Sequence, residues 1–313
     1  MSGKFIVSLD CEGKWGIADR PKDRRDLISS SGLAEVYSKI LQIFEKYSFR
    51  ATFAFVSALC LEPDEVVDAL RGVDLPHAGT NWLATPLSEL MSGEFDGWSE
   101  PALLRLVRES GRHHVCTHGG THLPYSRTET PSVAVEWDIN FAKQQHERLG
   151  LDWGAIVLPR NVVGHLDKLA TAGITCYRSM DRAERVPGNL GKGIRLANEF
   201  ISADRFGLSP AGQIFRGDSP VPLSPGKFLN ARIGFRRRVP ADATLSRAQA
   251  MLGYAATHGR ILHLYTHPHN FINDDGMFEK LDAILRMANS AASEGRLQLM
   301  TMEDEFNGSV QRS

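Results

Sequence analysis

Two histidines in the stretch Thr117-His118-Gly119-Gly120-Thr121-His122 are the side chains of this sequence best suited to chemistry. Neutral imidazole is the commonest protein ligand for zinc and similar ions. A step of four residues lets both rings reach one ion if the chain turns helically between them, and the glycines allow a tight backbone. We therefore treat His118 and His122 as candidate metal ligands, and a metal site needs at least one more.

Two carboxylates, Asp10 and Glu12, directly follow residues 5–9, a short apolar run that predicts a buried strand. A loop that simply turns with Asp and Gly is the alternative. Two histidines, a carboxylate and an open position form a known catalytic metal arrangement, in which the pKa of bound water falls toward ~7. A second carboxylate can then act as general base and a further histidine as general acid. These parts suit hydrolysis of an amide or ester.

Two more polar clusters follow predicted strands: Arg160 with Asn161, and His267 with His269 and Asn270. In a parallel barrel the carboxyl ends of all strands lie on one face, where active sites form. Four such clusters, spread over roughly 250 residues of chain, are better explained by one site than by chance. An arginine there can keep the base ionised or contact the substrate.

The elements that must position these clusters alternate between strand and helix. Residues 5–9, 33–47 and 50–56 predict a strand, an amphipathic helix and a second strand, which implies parallel pairing with a right-handed crossover. About seven or eight buried strands, most followed by a helix, indicate an α/β fold. A closed or nearly closed barrel fits this count, and a doubly wound open sheet is the alternative.

We expect one domain over residues 1–313, with loop insertions near 72–99 and 179–227. The second insertion is rich in Gly, Pro, Arg and Ser and could be a lid, a loop excursion or a small subdomain. In the first, Trp82 could line a sugar site or simply pack in the core. The run Arg236-Arg237-Arg238 is either a solvated basic face or a contact for a phosphate or an acidic sugar.

Composition narrows the class of protein. The chain has 313 residues, 42% of them apolar, and a formal net charge of -1 from 36 basic and 37 acidic residues, which does not suggest a partner in nucleic acid or at a membrane surface. No apolar run is long enough for a transmembrane helix, and a secretory signal is absent. The four cysteines are widely spaced beside apolar residues, so we expect buried free thiols in a cytoplasmic protein.

Taken in order, five motifs resemble the polysaccharide deacetylases, the NodB-like family 4 of carbohydrate esterases. They cover roughly residues 4 to 305, and the paired histidines and the last motif are the most specific. The motifs are Asp10-Cys11-Glu12, Ala51-Thr52-Phe53, His118 with His122, Pro159-Arg160-Asn161, and Thr266-His267-Pro268-His269-Asn270.

The resemblance implies a distorted (β/α)7-type barrel that binds a divalent metal, usually zinc. Asp10 then matches the catalytic base, Arg160 the arginine that orders this base, and His267 the general acid, although His269 is a second candidate. The metal ligands would be Glu12, His118 and His122. Further candidates for substrate binding are Trp15, Trp82, Asn161, His269 and Asn270.

The sequence also departs from the family pattern. A cysteine separates Asp10 from Glu12, and Glu12 is one methylene longer than the usual aspartate. What the family counts as its third motif is matched here by Pro159-Arg160-Asn161, which departs from the usual Arg-Pro-Pro-Tyr. With no secretory signal, the resemblance implies deacetylation (or deformylation) of an amino sugar inside the cell, as in O-antigen-type surface-polysaccharide biosynthesis. A barrel that binds metal but has lost hydrolysis, or another amide hydrolase on a barrel, remains open.

Overall fold

A curled, mostly parallel sheet surrounded by helices forms the body of the protein. The computed structural model describes residues 2–181, 186, 188–213, 220–274 and 276–309. The strands are β1 (Gly3–Cys11), β2 (Thr52–Phe55), β3 (Pro76–His77), β4 (Thr80–Asn81), β5 (His114–Thr117), β6 (Ala155–Ile156), β7 (Cys176–Arg178), β8 (Ser209–Pro210), β9 (Val221–Leu223), β10 (Gly226–Phe228), β11 (Arg260–Thr266) and β12 (Leu297–Met300).

Helices follow most of the strands, as the alternating pattern predicts. They are α1 (Lys22–Arg25), α2 (Ser30–Lys46), α3 (Pro63–Leu70), α4 (Ala84–Met91), α5 (Pro101–Glu109), α6 (Ser132–Leu149), α7 (Leu166–Ala172), α8 (Gly188–Ile201), α9 (Ala241–His258), α10 (Gly276–Ser293) and α11 (Met302–Ser309). Short 3-10 helices at Gly13–Ile17, Ser57–Cys60, Pro159–Asn161, Ala203–Gly207, Gly234–Arg238 and Pro268–Phe271 complete the elements.

The sheet runs in the order β10-β11-β1-β2-β5-β6-β7-β9. Every pairing along this path is parallel, and β8 adds an antiparallel pair to β11. The two ends of the path, β9 and β10, are consecutive in the chain, so the sheet curls back towards itself. The predicted parallel α/β barrel architecture is thereby confirmed, in its curled and distorted form rather than as a flat open sheet.

Strand β1 is central because it pairs with three strands. It lies beside β11 along one edge, while β2 and β12 pair with the two halves of its other edge. Its residues are almost all buried, with Phe5 and Leu9 in the main apolar core. All four cysteines are buried free thiols, as expected from the sequence. No helix among the described residues is long and apolar enough to cross a membrane.

The segments expected to be irregular contain more structure than the sequence suggested. Residues 72–99 carry the β3–β4 hairpin and helix α4, and residues 179–227 carry α8 and three short strands. Three parts of that second segment, 182–185, 187 and 214–219, lie outside the described residues.

Candidate active site

Strand β1 delivers the two carboxylates through its two-residue alternation. Ser8 and Asp10 lie on one face of the strand, while Cys11 packs in the apolar core on the other. Glu12 follows directly and begins the 3-10 helix Gly13–Ile17. Both carboxylates are almost completely buried, at 2% exposure for Asp10 and 4% for Glu12. Buried charges need partners, so the chemistry of the site depends on what surrounds them.

Arg178, at the carboxyl end of β7, is the partner of Asp10. Its two terminal nitrogens donate to Asp10 Oδ1 and Oδ2, both at 2.7 Å, in a bidentate ion pair. The same nitrogens also donate to Ser8 Oγ at 3.0 Å and to Asn161 Oδ1 at 2.8 Å. The guanidinium lies 3.9 Å from the ring centroid of Tyr265. Asp10 is therefore fixed in orientation by a buried, multiply bonded arginine.

The charge state of Asp10 follows from this pair. Burial opposes ionisation of the carboxyl, but the charge and hydrogen bonds of Arg178 outweigh it, so the pKa of Asp10 lies below its usual value. Asp10 is a carboxylate at neutral pH, which a general base must be. Asn161 extends the arrangement, since its amide nitrogen donates to the hydroxyl of Tyr265 at 2.9 Å.

The segment from His118 to His122 is irregular, so the two rings are not brought together by a helical turn. Gly119 has a φ of 82°, and a Cβ on Gly120 would lie 2.6 Å from the carbonyl oxygen of Asp138. Both positions therefore require glycine. His122 itself has a φ of 61°, a strained conformation for a residue with a side chain. Hydrogen bonds to helix α6 rather than helical geometry bring the rings together.

Asp138 in α6 provides those hydrogen bonds. Its carboxylate accepts from the backbone N–H groups of Gly120 and Thr121, both at 2.8 Å. It also accepts from the hydroxyl of Thr121 at 2.6 Å and from that of Tyr125 at 2.9 Å. The residue is completely buried. The loop between the two histidines is thus ordered by one carboxylate that contacts neither ring.

Glu12, His118 and His122 meet at one point, as the sequence predicts for metal ligands. Glu12 Oε2 lies 2.8 Å from His122 Nε2 and 3.3 Å from His118 Nε2. The His118 Nδ1–H donates to the carbonyl of Val157 at 2.7 Å, which leaves Nε2 with a lone pair directed at Glu12. The pKa of Glu12 is held well below its usual range because nearby histidine charges outweigh burial, so it is an anionic donor.

His122 provides the clearest sign that this donor set fits a metal ion. Both of its ring nitrogens are buried, and neither forms a hydrogen bond with the described residues, although Nε2 lies close to Glu12. A buried imidazole nitrogen directed at a carboxylate without hydrogen-bond geometry is the arrangement of two ligands that share an ion. The three ligand atoms lie within 4.8 Å of one another.

The extra methylene of Glu12 is accommodated by Gly16. A Cβ at position 16 would lie 2.0 Å from Glu12 Oε1 and 2.1 Å from its carboxyl carbon. The Glu12 side chain therefore occupies the space that any other residue at this position would fill. The short turn Gly13–Ile17 folds the longer acid back towards the histidines, and its reach to both rings follows from that turn.

His267 and His269 lie across from this triad, with rings that stack at a centroid distance of 5.1 Å. His267 Nε2 lies 3.6 Å from Glu12 Oε1 and 3.8 Å from Asp10 Oδ2, and its side chain is 24% exposed. His269 Nδ1 is 3.9 Å from Glu12 Oε1, and burial lowers the pKa of this histidine to about 4. Of the two, His267 is therefore better placed to carry a proton to a substrate.

These groups line an open cavity of about 380 Å³, within the range of about 300–1,000 Å³ typical of ligand pockets. Asn161, His269 and Asn270, three of the predicted substrate-binding residues, are among its walls. Arg236, from the arginine run that the sequence offered as a possible anion contact, also lines the cavity. Phe228, Asn230 and Tyr265 line it too, and the sequence did not single them out.

Arg160 does not occupy the place that the sequence analysis gave it. It forms an ion pair with Asp19 at 2.6 Å and lies over the ring of Trp82, and its side chain is 32% exposed. Its backbone turns at φ 55°, which directs the side chain to the rim. The contact with Asp10 that the family resemblance assigned to Arg160 belongs instead to Arg178, from the next strand.

The two tryptophans proposed for substrate binding are structural in this fold. Trp15 is completely buried, and its indole N–H donates to the carbonyl of Trp98 at 2.9 Å. Trp82 is 8% exposed and donates to the carbonyl of Thr121 at 2.9 Å. Neither is among the residues that line the cavity.

Arg178 was within reach of the sequence argument. Residues 174–178 predict a strand that Arg178 ends, so the rule that polar residues at strand ends collect at one face applies equally to it. Asp138, by contrast, lies inside helix α6 on a polar position that no motif distinguishes. Only the tertiary fold brings it to the metal-ligand loop.

Comparison with known proteins agrees with the motif resemblance at the level of the fold. No family model and no curated protein matches the sequence. A Mycobacterium smegmatis protein assigned as a polysaccharide deacetylase superposes with a TM-score of 0.60 at 12% identity, over 99% of this chain and 91% of its own. A similarly assigned protein from Pseudomonas aeruginosa PAO1 gives 0.57 at 12% identity, over 97% and 90%.

PuuE allantoinase also shares the fold, with a TM-score of 0.54 at 11% identity over 97% of this chain and 89% of the other. Identities this low establish the fold alone. The chain has the fold of the NodB-like polysaccharide deacetylases, and this confirms the barrel that the motifs implied.

Proposed function

We propose that this chain, which has the deacetylase fold, is a metal-dependent hydrolase that removes an N-acetyl or N-formyl group from an amino sugar. One observation carries the proposal. The ionised Asp10, fixed by Arg178, lies beside the Glu12–His118–His122 triad and opposite His267 in a single open cavity. A base, a metal-ligand set and an acid are the three parts that amide hydrolysis needs.

Glu12, His118 and His122 would bind the ion, and zinc suits two imidazoles and one carboxylate best. When bound, such an ion polarises the amide carbonyl and makes water more acidic. His118 and His122 need no rearrangement for this role, because the hydrogen bonds of Val157 and Asp138 already orient the ring and the loop.

The remaining steps belong to the protein's own side chains. Asp10 accepts a proton from the water that attacks the acyl carbon, and Arg178 keeps the Asp10 carboxylate ionised and correctly oriented. His267 Nε2–H then donates a proton to the amine nitrogen as the C–N bond breaks. The products are a carboxylic acid and the free amino sugar. Asn161, Asn230 and Asn270 offer amide groups to sugar hydroxyls along the cavity wall.

The substrate we favour is an activated or soluble amino sugar of surface-polysaccharide biosynthesis, handled in the cytoplasm. The alternative of a catalytically lapsed barrel arose from the longer Glu12 and the altered third motif. The short distances from Glu12 to both histidines and the contact of Arg178 with Asp10 favour an active enzyme instead. A cyclic-amide hydrolase is the second candidate, favoured by the shared fold of PuuE allantoinase.

Metal analysis combined with a screen for acyl release tests this proposal. We expect about one equivalent of zinc and release of acetate or formate from N-acylated amino sugars. His118→Ala and His122→Ala should lose most of the metal, whereas His267→Ala should keep it and turn over about 10²- to 10⁴-fold more slowly. Equal loss of metal in all three variants would give His267 a different role. Ring opening of small cyclic amides, without release from any sugar, would favour the second candidate.

A further inference from the structure

A second cavity adjoins the catalytic one and shares part of its wall. It has a volume of about 350 Å³ and lies where the residues after β10 meet helix α8. Phe228, Asn230 and Arg236 line both cavities. Phe228 also contacts His267, with ring centroids 5.1 Å apart, so the shared wall begins next to the proposed acid. A substrate group that lies along this wall of the catalytic cavity would therefore meet the same three side chains.

The second cavity is lined by charged side chains, most of which are already paired and buried. Arg247 forms an ion pair with Asp204 at 2.6 Å and a longer one with Glu199 at 3.4 Å. Glu199 also accepts a hydrogen bond from the hydroxyl of Thr244 at 2.9 Å. Lys227 neutralises Asp181 at 2.8 Å. These contacts hold the charged side chains of the cavity wall in place and pair most of their charges with one another.

The charged side chains of this region suit an anionic ligand. The described residues of the wall carry three acidic side chains (Asp181, Glu199 and Asp204) and three arginines (Arg195, Arg236 and Arg247). Each of these acids is paired with a cation: Asp181 with Lys227, Asp204 with Arg247, and Glu199 with Arg236 and Arg247. Arginines that line a partly enclosed cavity whose acids are already paired attract an anionic ligand group.

Arg236 is the side chain best placed to contact an anionic ligand. It is 28% exposed and forms an ion pair with Glu199 at 3.2 Å, but the same carboxylate oxygen also contacts Arg247 and Asn230. One carboxylate shared between two arginines leaves part of the charge and several N–H donors of Arg236 for a ligand. The planar guanidinium matches the oxygens of phosphate and carboxylate groups.

We propose that Arg236 binds an anionic group of the substrate, a phosphate or a carboxylate, while the acyl group lies at the triad. This inference rests on the proposed function and narrows its substrate to a charged amino sugar. It also assigns a role to the arginine run 236–238, within which Arg236 faces the cavities and Arg237 is exposed without lining either. Arg237 is thus a matched control on the same 3-10 helix.

The test compares binding of three probes to the metal-loaded full chain by calorimetry. The probes are N-acetylglucosamine, its 1-phosphate, and N-acetylmuramic acid as the carboxylate form. The wild-type protein should prefer at least one charged probe over the neutral sugar, and Arg236→Gln should reduce that preference by about 10- to 100-fold. Arg236→Lys should restore part of it, because the charge returns without the bidentate geometry.

Arg237→Gln separates a specific contact from a general loss of positive charge, since it removes the same charge from the same helix. An equal effect of Arg236→Gln and Arg237→Gln would overturn the proposal, as would a wild-type protein with no preference for either charged probe. A preference for the phosphate alone identifies a phosphoester substrate, and a preference for the carboxylate alone an acidic sugar. A binding preference can be measured even if no probe is hydrolysed, so a failure of the proposed hydrolysis does not obscure the result.

Discussion

Asp10 depends on one arginine for both its charge and its orientation. The bidentate contact with Arg178 outweighs the effect of burial on the carboxyl pKa, and the same guanidinium contacts Ser8 and Asn161. Arg160, which the third motif offered for this role, lies at the rim with Asp19. A motif match therefore located the right part of the molecule, while the functional contact comes from a neighbouring strand.

Replacement of Arg178 should affect the acidic side of the pH–rate profile. In Arg178→Gln the positive partner is lost, so the pKa of Asp10 rises and the base is protonated at pH values where the wild type is active. We expect kcat to fall about 100-fold and the acidic limb to move to higher pH. Steady-state kinetics between pH 4 and pH 8 would measure both.

Arg160→Gln is the matched control, because it removes an arginine from the same cavity edge without contact to Asp10. Its acidic limb should coincide with that of the wild type. If instead Arg160→Gln shifted the limb and Arg178→Gln did not, the base would be ordered as the third motif implied. Arg178→Lys keeps a charge near Asp10, so its kcat should lie between those of Arg160→Gln and Arg178→Gln.

Helix α6 acts at the scale of elements, because it orders a loop that belongs to strand β5. The segment between His118 and His122 is not helical. The Asp138 carboxylate orders it instead, by accepting four hydrogen bonds. An amphipathic pattern can predict that α6 exists, but it cannot predict that a polar residue within it turns towards the sheet. Asp138 is thus a positioning residue, distinct from the ligands.

Asp138→Asn should weaken metal binding although it touches no ligand. Asparagine keeps one acceptor oxygen and places an NH₂ donor against N–H and O–H donors, so the loop between the histidines loses its geometry. We expect metal affinity to fall about 10- to 100-fold, as for other residues that orient ligands. Competition with a chromophoric chelator measures this. Tyr125→Phe removes only one of the four donors to Asp138 and should lower the metal affinity less than Asp138→Asn does. An Asp138→Asn protein that folds normally with unchanged affinity would contradict the role.

Elements with strong periodicity were predictable, and those without it were not. Helix α2 carries an apolar face, and the structure places it at Ser30–Lys46, close to the predicted residues 33–47. Helix α8 contains Gly188, Gly191 and Gly193, which disfavour helix, so no local pattern indicates it. Its helical form depends on packing against α9, which is tertiary information. The strand-end rule succeeded for the site because it depends on topology rather than on local propensity.

The molecule as a whole contains buried histidines outside the site whose protonation opposes folding. Burial lowers the pKa of His114 to about 4 and that of His263 to about 3. In the unfolded chain these rings titrate near pH 6.5, so below that value the unfolded state binds protons that the native state does not. The contribution that these neutral histidines make to the free energy of unfolding is therefore complete above pH 6.5 and is lost as the pH falls towards 4.

His114→Asn removes one of these titrations while leaving a polar group near Thr52, which contacts the ring at 3.2 Å. Between pH 6.5 and 4.5 the free energy of unfolding should fall with decreasing pH in both proteins. The slope of the variant should be smaller than that of the wild type by about 1 kcal/mol per pH unit. Urea denaturation at a series of pH values measures the slope. His258→Asn changes an exposed histidine on α9 and should keep the wild-type slope. Identical slopes for all three proteins would exclude His114 as a source.

The position of β1 has a consequence for how the protein is made. Lys4 pairs with Ile261 and Gln298, so β1 waits for partners that are translated long after it. Until then one edge and half of the other stay open, and an unpaired apolar edge is a site of aggregation. Asp10 and Glu12 reach His267 only after β1 has paired with β11, so a nascent chain cannot complete the candidate site before β11 has been synthesised. Slow codons before β11 should therefore lower the yield of soluble protein more than slow codons after β12.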